Sequence, residues 1–166
     1  MKKVCILLVV VLLLGGCAAQ PVFETVSDQI DAPVPAQMRQ LQVMLPKEAS
    51  APTLQSEQAG KLYLCNGYTL TIQTMEAGDL DATMRSLTGF SREQMTVMET
   101  AKHGIKRYDC VWSAAGEGGD HVARAVILDD GSYHYAVTVM ADFASAGDLA
   151  STWKSILDTV TFSDID

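Results

Sequence analysis

The pair Asn66-Gly67 is the feature that most constrains the fold, because it separates two strand-like runs at 61–65 and 68–75. Both residues of this pair adopt positive φ at little cost, and a two-residue hairpin turn requires that conformation. In the second run, apolar side chains alternate with polar ones, which is typical of a strand with one buried face and one solvated face. The sequence therefore predicts an antiparallel hairpin within a sheet that is covered on one face.

Other alternating runs predict the remaining strands of this sheet. They cover residues 38–45, 96–100, 105–113, 122–128 and 133–141. Glycines between 116 and 119 and the pair Asp130-Gly131 supply tight turns between the last three runs. Residues 47–59 are predicted to form a loop. We therefore expect about six to seven strands, most of them antiparallel neighbours.

Two amphipathic segments predict helices that cover the sheet. Asp79 is a suitable N-cap for a helix that runs to about Thr88, and Gly89 can end it. The segment 148–160 carries apolar residues at helical spacing, so Trp153 is a predicted core residue. Helices packed on an antiparallel sheet define the α+β class. The expected folded unit is one domain spanning residues 38–166.

The N-terminus has the pattern of a bacterial lipoprotein signal. Two lysines precede an unbroken apolar run at 4–14, and two glycines lead to Cys17. This run is shorter than the ~20 residues that a transmembrane helix needs. We expect export, cleavage of the signal peptide 1–16 and attachment of palmitate and other acyl chains to Cys17, which would anchor the protein in the bilayer. Ala18 follows, so the aspartate that marks inner-membrane retention in some bacteria is missing. The sequence is therefore compatible with a lipid anchor in either the cell membrane or the outer membrane.

Residues 17–37 are predicted to be the lipidated N-terminus and a flexible tether. They contain three prolines among small and polar residues and show no sustained period of 2 or 3.6. An alternative is a short helix with Phe23, Val26 and Ile30 on one face. A tether would let the folded domain stand away from the membrane.

The balance of acidic and basic residues indicates which kinds of molecule are unsuitable as binding partners. Lys and Arg number 12 against 20 Asp and Glu, for a formal charge of −8. Loss of Lys2 and Lys3 with the signal changes this by two, to −10. Nucleic acid and anionic lipid headgroups are recognised by basic patches, so an acidic chain argues against both as partners. Cationic ligands and metal ions stay compatible, although acidity also serves solubility alone.

The four cysteines have separate expected fates. Cys5 leaves with the signal and Cys17 takes the lipid, so Cys65 and Cys110 remain. Two remaining cysteines in an exported domain predict a disulfide. Its loop of roughly 45 residues would contribute ~4 kcal/mol in the chain-entropy model. The alternative is that both are small buried apolar residues, because both lie in strand-like runs.

Three short segments together resemble the PsbP-like superfamily. They are Leu45-Pro46 after the first strand, the Asp130-Gly131-Ser132-Tyr133 turn into a tyrosine-rich strand, and the closing run at 153–162. The resemblance covers about residues 38–163. It implies an antiparallel sheet packed between helices as an α/β/α sandwich. That superfamily includes an extrinsic photosystem II protein, a nuclear import factor and many bacterial lipoproteins without known activity, so the resemblance implies no particular function and no catalytic residue.

The residues show no strong signature of catalysis or of a cofactor. The histidines are His103, His121 and His134, and none stands in a spacing typical of a metal site. The glycines at 116–119 lack the lysine of a phosphate-binding loop. Neither remaining cysteine has a histidine placed by a recognisable signature to activate it. We therefore expect no cofactor, no bound metal and no enzymatic activity.

Aromatic residues on neighbouring predicted strands are the candidates for a ligand face. They are Tyr63, Tyr108, Trp112, Tyr133 and Tyr135. Aromatic side chains on adjacent strands can line a recognition surface, and they can equally form the core. Both interpretations stay open from the sequence.

These observations favour a membrane-anchored, non-enzymatic binding or accessory module of the cell envelope. Its expected partners are the lipid bilayer, through lipidated Cys17, and an envelope protein, with no nucleic acid. The alternatives are a lipoprotein that captures a small ligand or a metal ion, and a small envelope hydrolase. A hydrolase would need a convergent polar cluster with a perturbed pKa in a pocket. The sequence carries no indication of the oligomeric state.

Overall fold

The alternating strands predicted from the sequence assemble into one large sheet. The structure is a computed structural model that describes residues 23–27, 38–49, 51–56, 60–116 and 119–163. Cys17, the predicted signal and most of the predicted tether lie outside these ranges, so the predictions about them stay predictions. Within the described ranges, neither helix has both the length and the apolar character that crossing a membrane requires.

Ten strands and two α-helices make up the described part of the chain. In chain order they are β1 (Phe23–Ser27), β2 (Leu41–Pro46), β3 (Leu54–Ser56), β4 (Gly60–Cys65), β5 (Tyr68–Glu76), α1 (Leu80–Thr88), β6 (Thr96–Lys102), β7 (Ile105–Gly116), β8 (Gly119–Asp129), β9 (Tyr133–Asp142), α2 (Phe143–Leu157) and β10 (Thr161–Phe162). The large sheet has seven strands in the order β3-β4-β5-β9-β8-β7-β6, and every neighbouring pair is antiparallel. This confirms the α+β class and the expected number of strands.

The hairpin predicted at Asn66-Gly67 joins β4 to β5. Cys65 pairs with Tyr68 across the turn, and Gly67 has φ 81°, a conformation that costs a glycine little. Asn66 does not have a positive φ, so only one of the two turn residues adopts the expected conformation. The side chains of Tyr68, Leu70 and Ile72 are all buried. The period of two therefore identified the buried face of β5 correctly.

Helix α1 begins and ends where its caps predict. The Asp79 carboxylate accepts a hydrogen bond of 3.1 Å from the Asp81 backbone N–H, which satisfies one of the free donors of the first turn. Gly89 ends the helix with φ 79°, and its N–H donates to the carbonyl of Arg85. Helix α2 instead begins at Phe143, five residues before the predicted start at 148. Its first turn is exposed, so no apolar period marked it.

Two separate cores form on the opposite faces of the large sheet. The major core lies under α2 and β2, and its largest fully buried side chains include Tyr63, Leu70, Ile72, Tyr135, Trp153 and Ile156. The minor core lies under α1 and consists of Met84, Tyr108, Cys110, Trp112, Ala123, Ala125, Ile127 and Ala136. Each large apolar side chain buried in this way contributes about 1.5–3 kcal/mol. The sheet is thus packed between helices, as the resemblance implied.

Three short strands depart from the sequence-based expectation. Strand β1 lies within the segment predicted to be a tether, and it pairs antiparallel with β2. Strand β10 pairs with the other side of β2, which completes a small three-stranded sheet. Strand β3 interrupts the predicted loop at 47–59 and adds an edge to the large sheet. These strands form because a neighbour offers free backbone groups, and their own sequences show little alternation.

Candidate functional site

An open cleft lies where the β6–β7 hairpin approaches the chain that follows α2. Its volume is about 370 Å³, near the lower end of the ~300–1,000 Å³ typical of small-molecule sites. The residues that line it are Thr100, Ala101, Lys102, His103, Ile105, Arg107, Leu128, Val160, Thr161 and Phe162. Three stretches of chain therefore build the cleft: the hairpin, the end of β8 and the segment 160–162.

Burial divides this lining into an apolar floor and a polar rim. Leu128, Val160 and Phe162 are buried and belong to the major core. Lys102 and His103 are exposed at the rim. A floor of core side chains under a cationic rim gives the cleft an amphipathic character.

Arg107 is held in a defined position at the wall of the cleft. Its Nε and Nη2 donate to the two carboxylate oxygens of Asp109 at 2.9 Å and 2.8 Å. Nη2 also donates to the backbone carbonyl of Leu157 at 3.1 Å, which joins β7 to the end of α2. Nη1 makes no hydrogen bond with any described residue. The guanidinium is therefore fixed while one of its nitrogens stays available.

The tight turn of the β6–β7 hairpin sets which side chains face the cleft. His103 has φ 52° and Gly104 has φ 80°, and positive φ at both central positions is the type I′ turn that suits a twisted hairpin. Lys102 consequently pairs with Ile105, and Thr100 pairs with Arg107. Directly paired residues point to the same face of a sheet. Thr100, Lys102 and Arg107 therefore lie side by side at the cleft.

A polar network supports the floor of the cleft from behind. The Tyr135 hydroxyl donates to Asp130 at 3.1 Å and accepts a hydrogen bond of 2.7 Å from the Arg39 backbone N–H. The Arg39 guanidinium lies 3.7 Å from the Asp130 carboxylate and 5.4 Å above the centre of the Phe162 ring. Phe162 also packs edge-on against Tyr135. This network joins β10 to the large sheet.

The predicted disulfide between Cys65 and Cys110 is not present in the structure. Cys65 packs against the major core from the end of β4, whereas Cys110 belongs to the minor core in the middle of β7. Three strands separate β4 from β7, so four spacings of about 4.8 Å lie between the two strands. Disulfides require Cα atoms within about 7 Å. The prediction is corrected because the two cysteines lie on opposite faces of the sheet.

Burial determines the chemistry of Cys110. Desolvation first, and then the nearby Asp109 carboxylate, raise the pKa of the Cys110 thiol to about 11. Desolvation likewise raises the pKa of Tyr108, and the charge of Glu99 adds to it. Both groups are neutral at physiological pH. Cys110 therefore behaves as a small apolar core residue, the alternative that the sequence left open.

The five aromatic residues predicted to form a ligand face do not share one surface. Tyr63, Tyr133 and Tyr135 lie on the major-core face of the sheet, and Tyr108 and Trp112 lie on the minor-core face. All except Tyr133 are buried. Their placement corresponds to the core interpretation. None of them lines the cleft.

The three histidines occupy three different environments. His103 lines the rim of the cleft. His121 Nδ1 lies 3.1 Å from an Asp142 oxygen, and buried His134 shares a hydrogen bond with Thr83. Among the residues that the structure describes, no group of three His, Cys, Asp or Glu side chains has the geometry of a metal site.

A second surface lies on the minor-core face of the sheet, beside α1. We call it the open surface, and it consists of Leu54, Leu62, Leu64, Thr69 and Met140. Strand pairing places these residues in adjacent positions on one face. Leu54, Leu64 and Met140 are 56%, 57% and 42% exposed. Contiguous exposed apolar residues of this kind are typical of interaction surfaces.

The sequence reasoning missed the cleft as a whole. One local signal was available, because residues 102–107 carry three cationic side chains and a histidine without any acidic residue. The net charge of the whole chain is strongly negative, so an argument from net charge did not identify this locally cationic hairpin. The floor had no such signal, because Leu128 and Phe162 read as ordinary core residues.

Comparison with known proteins identifies the fold. No family model and no curated protein sequence matches the chain. The solution structure of cyanobacterial PsbP (CyanoP) from Synechocystis sp. PCC 6803 is similar, with a TM-score of 0.56, 9% sequence identity and coverage of 90% of this chain and 98% of that one. A protein of unknown function from Pseudomonas aeruginosa, PA94, described as a putative regulator, has a TM-score of 0.39, 12% identity and coverage of 81% and 78%. The second score is too low to support an argument, whereas the first shows that this chain has a PsbP-like fold.

Proposed function

We propose that this protein is a lipid-anchored, non-enzymatic binding module of the bacterial cell envelope that holds a small ligand in its cleft. The observation that carries the proposal is the cleft itself, with an apolar floor, a cationic rim and a volume of about 370 Å³. Concave, mostly apolar sites with a few fixed polar groups are the usual form of small-molecule sites. The lipid anchor of the proposal is Cys17 and rests on the N-terminal signal pattern.

The way the cleft is built supports binding. Arg107 is fixed by Asp109 and Leu157, and Phe162 is supported by Tyr135 and Arg39. A site that is already rigid loses little conformational entropy when a ligand binds. These contacts therefore favour a preformed binding site.

A second candidate function is that of an accessory protein that docks onto an envelope protein. The open surface supports it, because Leu64 and Met140 stay exposed on the face of the sheet that carries the minor core. Both candidates place the domain at a membrane, and they differ in which surface is used.

The anchor is tested by labelling cells with radioactive palmitate and separating membranes from soluble proteins. We expect label in the wild-type chain and in the Cys65→Ser variant, and none in the Cys17→Ser variant. The signal peptide should also remain uncleaved in the Cys17→Ser variant. Label retained in Cys17→Ser, or wild-type chain in the soluble fraction, would contradict the lipid anchor.

The binding function is tested on protein purified from cross-linked native membranes, with bound small molecules and proteins identified by mass spectrometry. We expect a small molecule that is depleted in Thr100→Trp, which fills the cleft from an exposed position. Met98→Trp is the matched control, because Met98 is exposed on the same strand and the same face and does not line the cleft. Loss of a protein partner in Leu64→Glu, with no small molecule in any sample, would favour the accessory function instead.

A further inference from the structure

We propose that the cleft binds a small amphiphile that has a carboxylate head and an apolar tail. The head lies against Thr100, Lys102 and Arg107, and the tail lies over the buried floor. This inference rests on the proposed binding function and adds the chemical class of the ligand.

The polar side chains assigned to the head are hydrogen-bond donors, so they suit a ligand group that accepts hydrogen bonds. Lys102 and Arg107 are donors only, and the Thr100 hydroxyl can donate as well. The register places Thr100 opposite Arg107 and puts Lys102 two residues further along the same face. No acidic side chain lines the cleft. An ionised carboxylate, which only accepts hydrogen bonds, is the complement of such a set.

The charge of Lys102 is not matched by the protein. Five other cationic side chains form ion pairs: Arg39, Arg85, Arg92, Arg107 and Lys154. Lys102 forms no ion pair with any described residue, and neither do Lys47, Lys106 and Arg124. Of these residues, Lys102 is the one that lines the cleft. Its exposed side chain lines the same cleft as the apolar floor. An anion bound in the cleft would form an ion pair with Lys102.

The apolar part of the ligand follows from the floor. Leu128, Val160 and Phe162 are 5%, 5% and 2% exposed, and half-buried Ile105 forms the wall beside Lys102. A methylene chain that covers such a floor is removed from water, and each added CH₂ should tighten binding by up to about fourfold. A small inorganic anion would leave this part of the cleft unused, and a neutral lipid would leave the cation unmatched.

Three ten-carbon probes test the inference, each below its micelle concentration. Decanoate has the proposed head, decanol has a neutral head, and decyltrimethylammonium has a cationic head. Binding is measured by calorimetry and by ¹H–¹⁵N chemical shifts on residues 17–166 with Cys17→Ser, which contains every described residue. We expect decanoate to bind at least about tenfold more tightly than the other two. Its shifts should be confined to the hairpin, Leu128 and residues 160–162.

Substitutions assign the roles of the head and tail sites. Lys102→Met should weaken decanoate about fivefold, as expected for one partly exposed ion pair, and should not weaken decanol. Lys106→Met is the matched control, because Lys106 lies on the same hairpin and points to the other face. Thr100→Trp should abolish binding of decanoate, whereas Met98→Trp, on the same strand and face but outside the cleft, should not.

The outcomes separate this inference from the proposed function. Equal binding of decanoate and decanol would overturn the assignment of a carboxylate and leave a cleft that binds apolar molecules. No binding of decanoate, or shifts outside the cleft, would overturn the inference altogether. The palmitate labelling and the purification from native membranes test the proposed function, and their results do not depend on how decanoate or decanol binds.

Discussion

Thr83 and His134 share a buried hydrogen bond of 2.8 Å between Oγ1 and Nδ1, which joins helix α1 to strand β9. Thr83 is 8% exposed and His134 is 1% exposed. The other ring nitrogen of His134 lies 3.8 Å from an Asp129 oxygen. The helix that covers the minor core is thus attached to the sheet by a polar contact as well as by Met84.

We predict that Thr83→Val destabilises the fold by about 1–3 kcal/mol, because it leaves a buried ring nitrogen without its partner. Valine has nearly the same shape as threonine, so packing changes little. Urea unfolding measures the difference. Thr83→Ser keeps the hydroxyl and serves as the control. Equal stability of wild type and Thr83→Val would show that this hydrogen bond contributes nothing net.

Tyr135→Phe removes the hydroxyl that lies between Asp130 and the Arg39 backbone. We expect a loss of about 1–2 kcal/mol, because a buried carboxylate and an N–H lose a hydrogen bond. Tyr133→Phe is the matched control on the same strand, since the Tyr133 hydroxyl makes no hydrogen bond with any described residue. Thermal unfolding of both variants gives the comparison. A larger loss in Tyr133→Phe would contradict the role given to the network.

Trp153 anchors α2 in the major core, and its indole N–H has no acceptor among the described residues. Trp153→Ala should cost about 3–5 kcal/mol, because it leaves a large cavity. Trp153→Phe should cost less than half of that, since phenylalanine keeps much of the apolar contact and carries no donor to satisfy. Chemical unfolding of the two variants measures this ratio. Equal losses would contradict the expectation that phenylalanine keeps much of the apolar contact of Trp153.

Cys110 should resist alkylation in the native protein. Its pKa of about 11, against an ordinary 9.0, leaves about a hundredfold less thiolate at pH 8. In a Cys17→Ser, Cys65→Ala form of residues 17–166, the thiol that remains is Cys110, and its reaction with iodoacetamide should require unfolding. Reaction in the native state at the rate of the unfolded chain would contradict its burial.

The same raised pKa predicts a loss of stability in alkaline solution. The folded state holds the thiol proton more tightly than the unfolded state, so this stabilisation is present below pH 9 and is lost as the pH rises towards 11. Tyr108 acts in the same direction. We expect the free energy of unfolding to fall over this range, with a smaller fall in Cys110→Ala. An identical fall in both proteins would assign the effect to other groups.

The periodic part of the sequence predicted most of the fold. Alternation identified the buried faces of β5 and β7, and the caps Asp79 and Gly89 gave both ends of α1. The exposed first turn of α2 and the short strands β1, β3 and β10 were missed, because each depends on a neighbour more than on its own pattern. The cleft was missed for the same reason, since its floor and rim are far apart in the chain.

Local sequence by itself determined where most of the strands, turns and helices lie, because periodicity and turn chemistry act over a few residues. Only the tertiary structure decided which faces of the strands and helices pack against each other. Antiparallel register placed Cys65 and Cys110 on opposite faces of the sheet, although the presence of two remaining cysteines in an exported domain had predicted a bridge. The packing of α2 brought Phe162 against the hairpin of Lys102 and Arg107 and formed the cleft. Such contacts depend on strand order and helix packing, which no local pattern in the chain specifies.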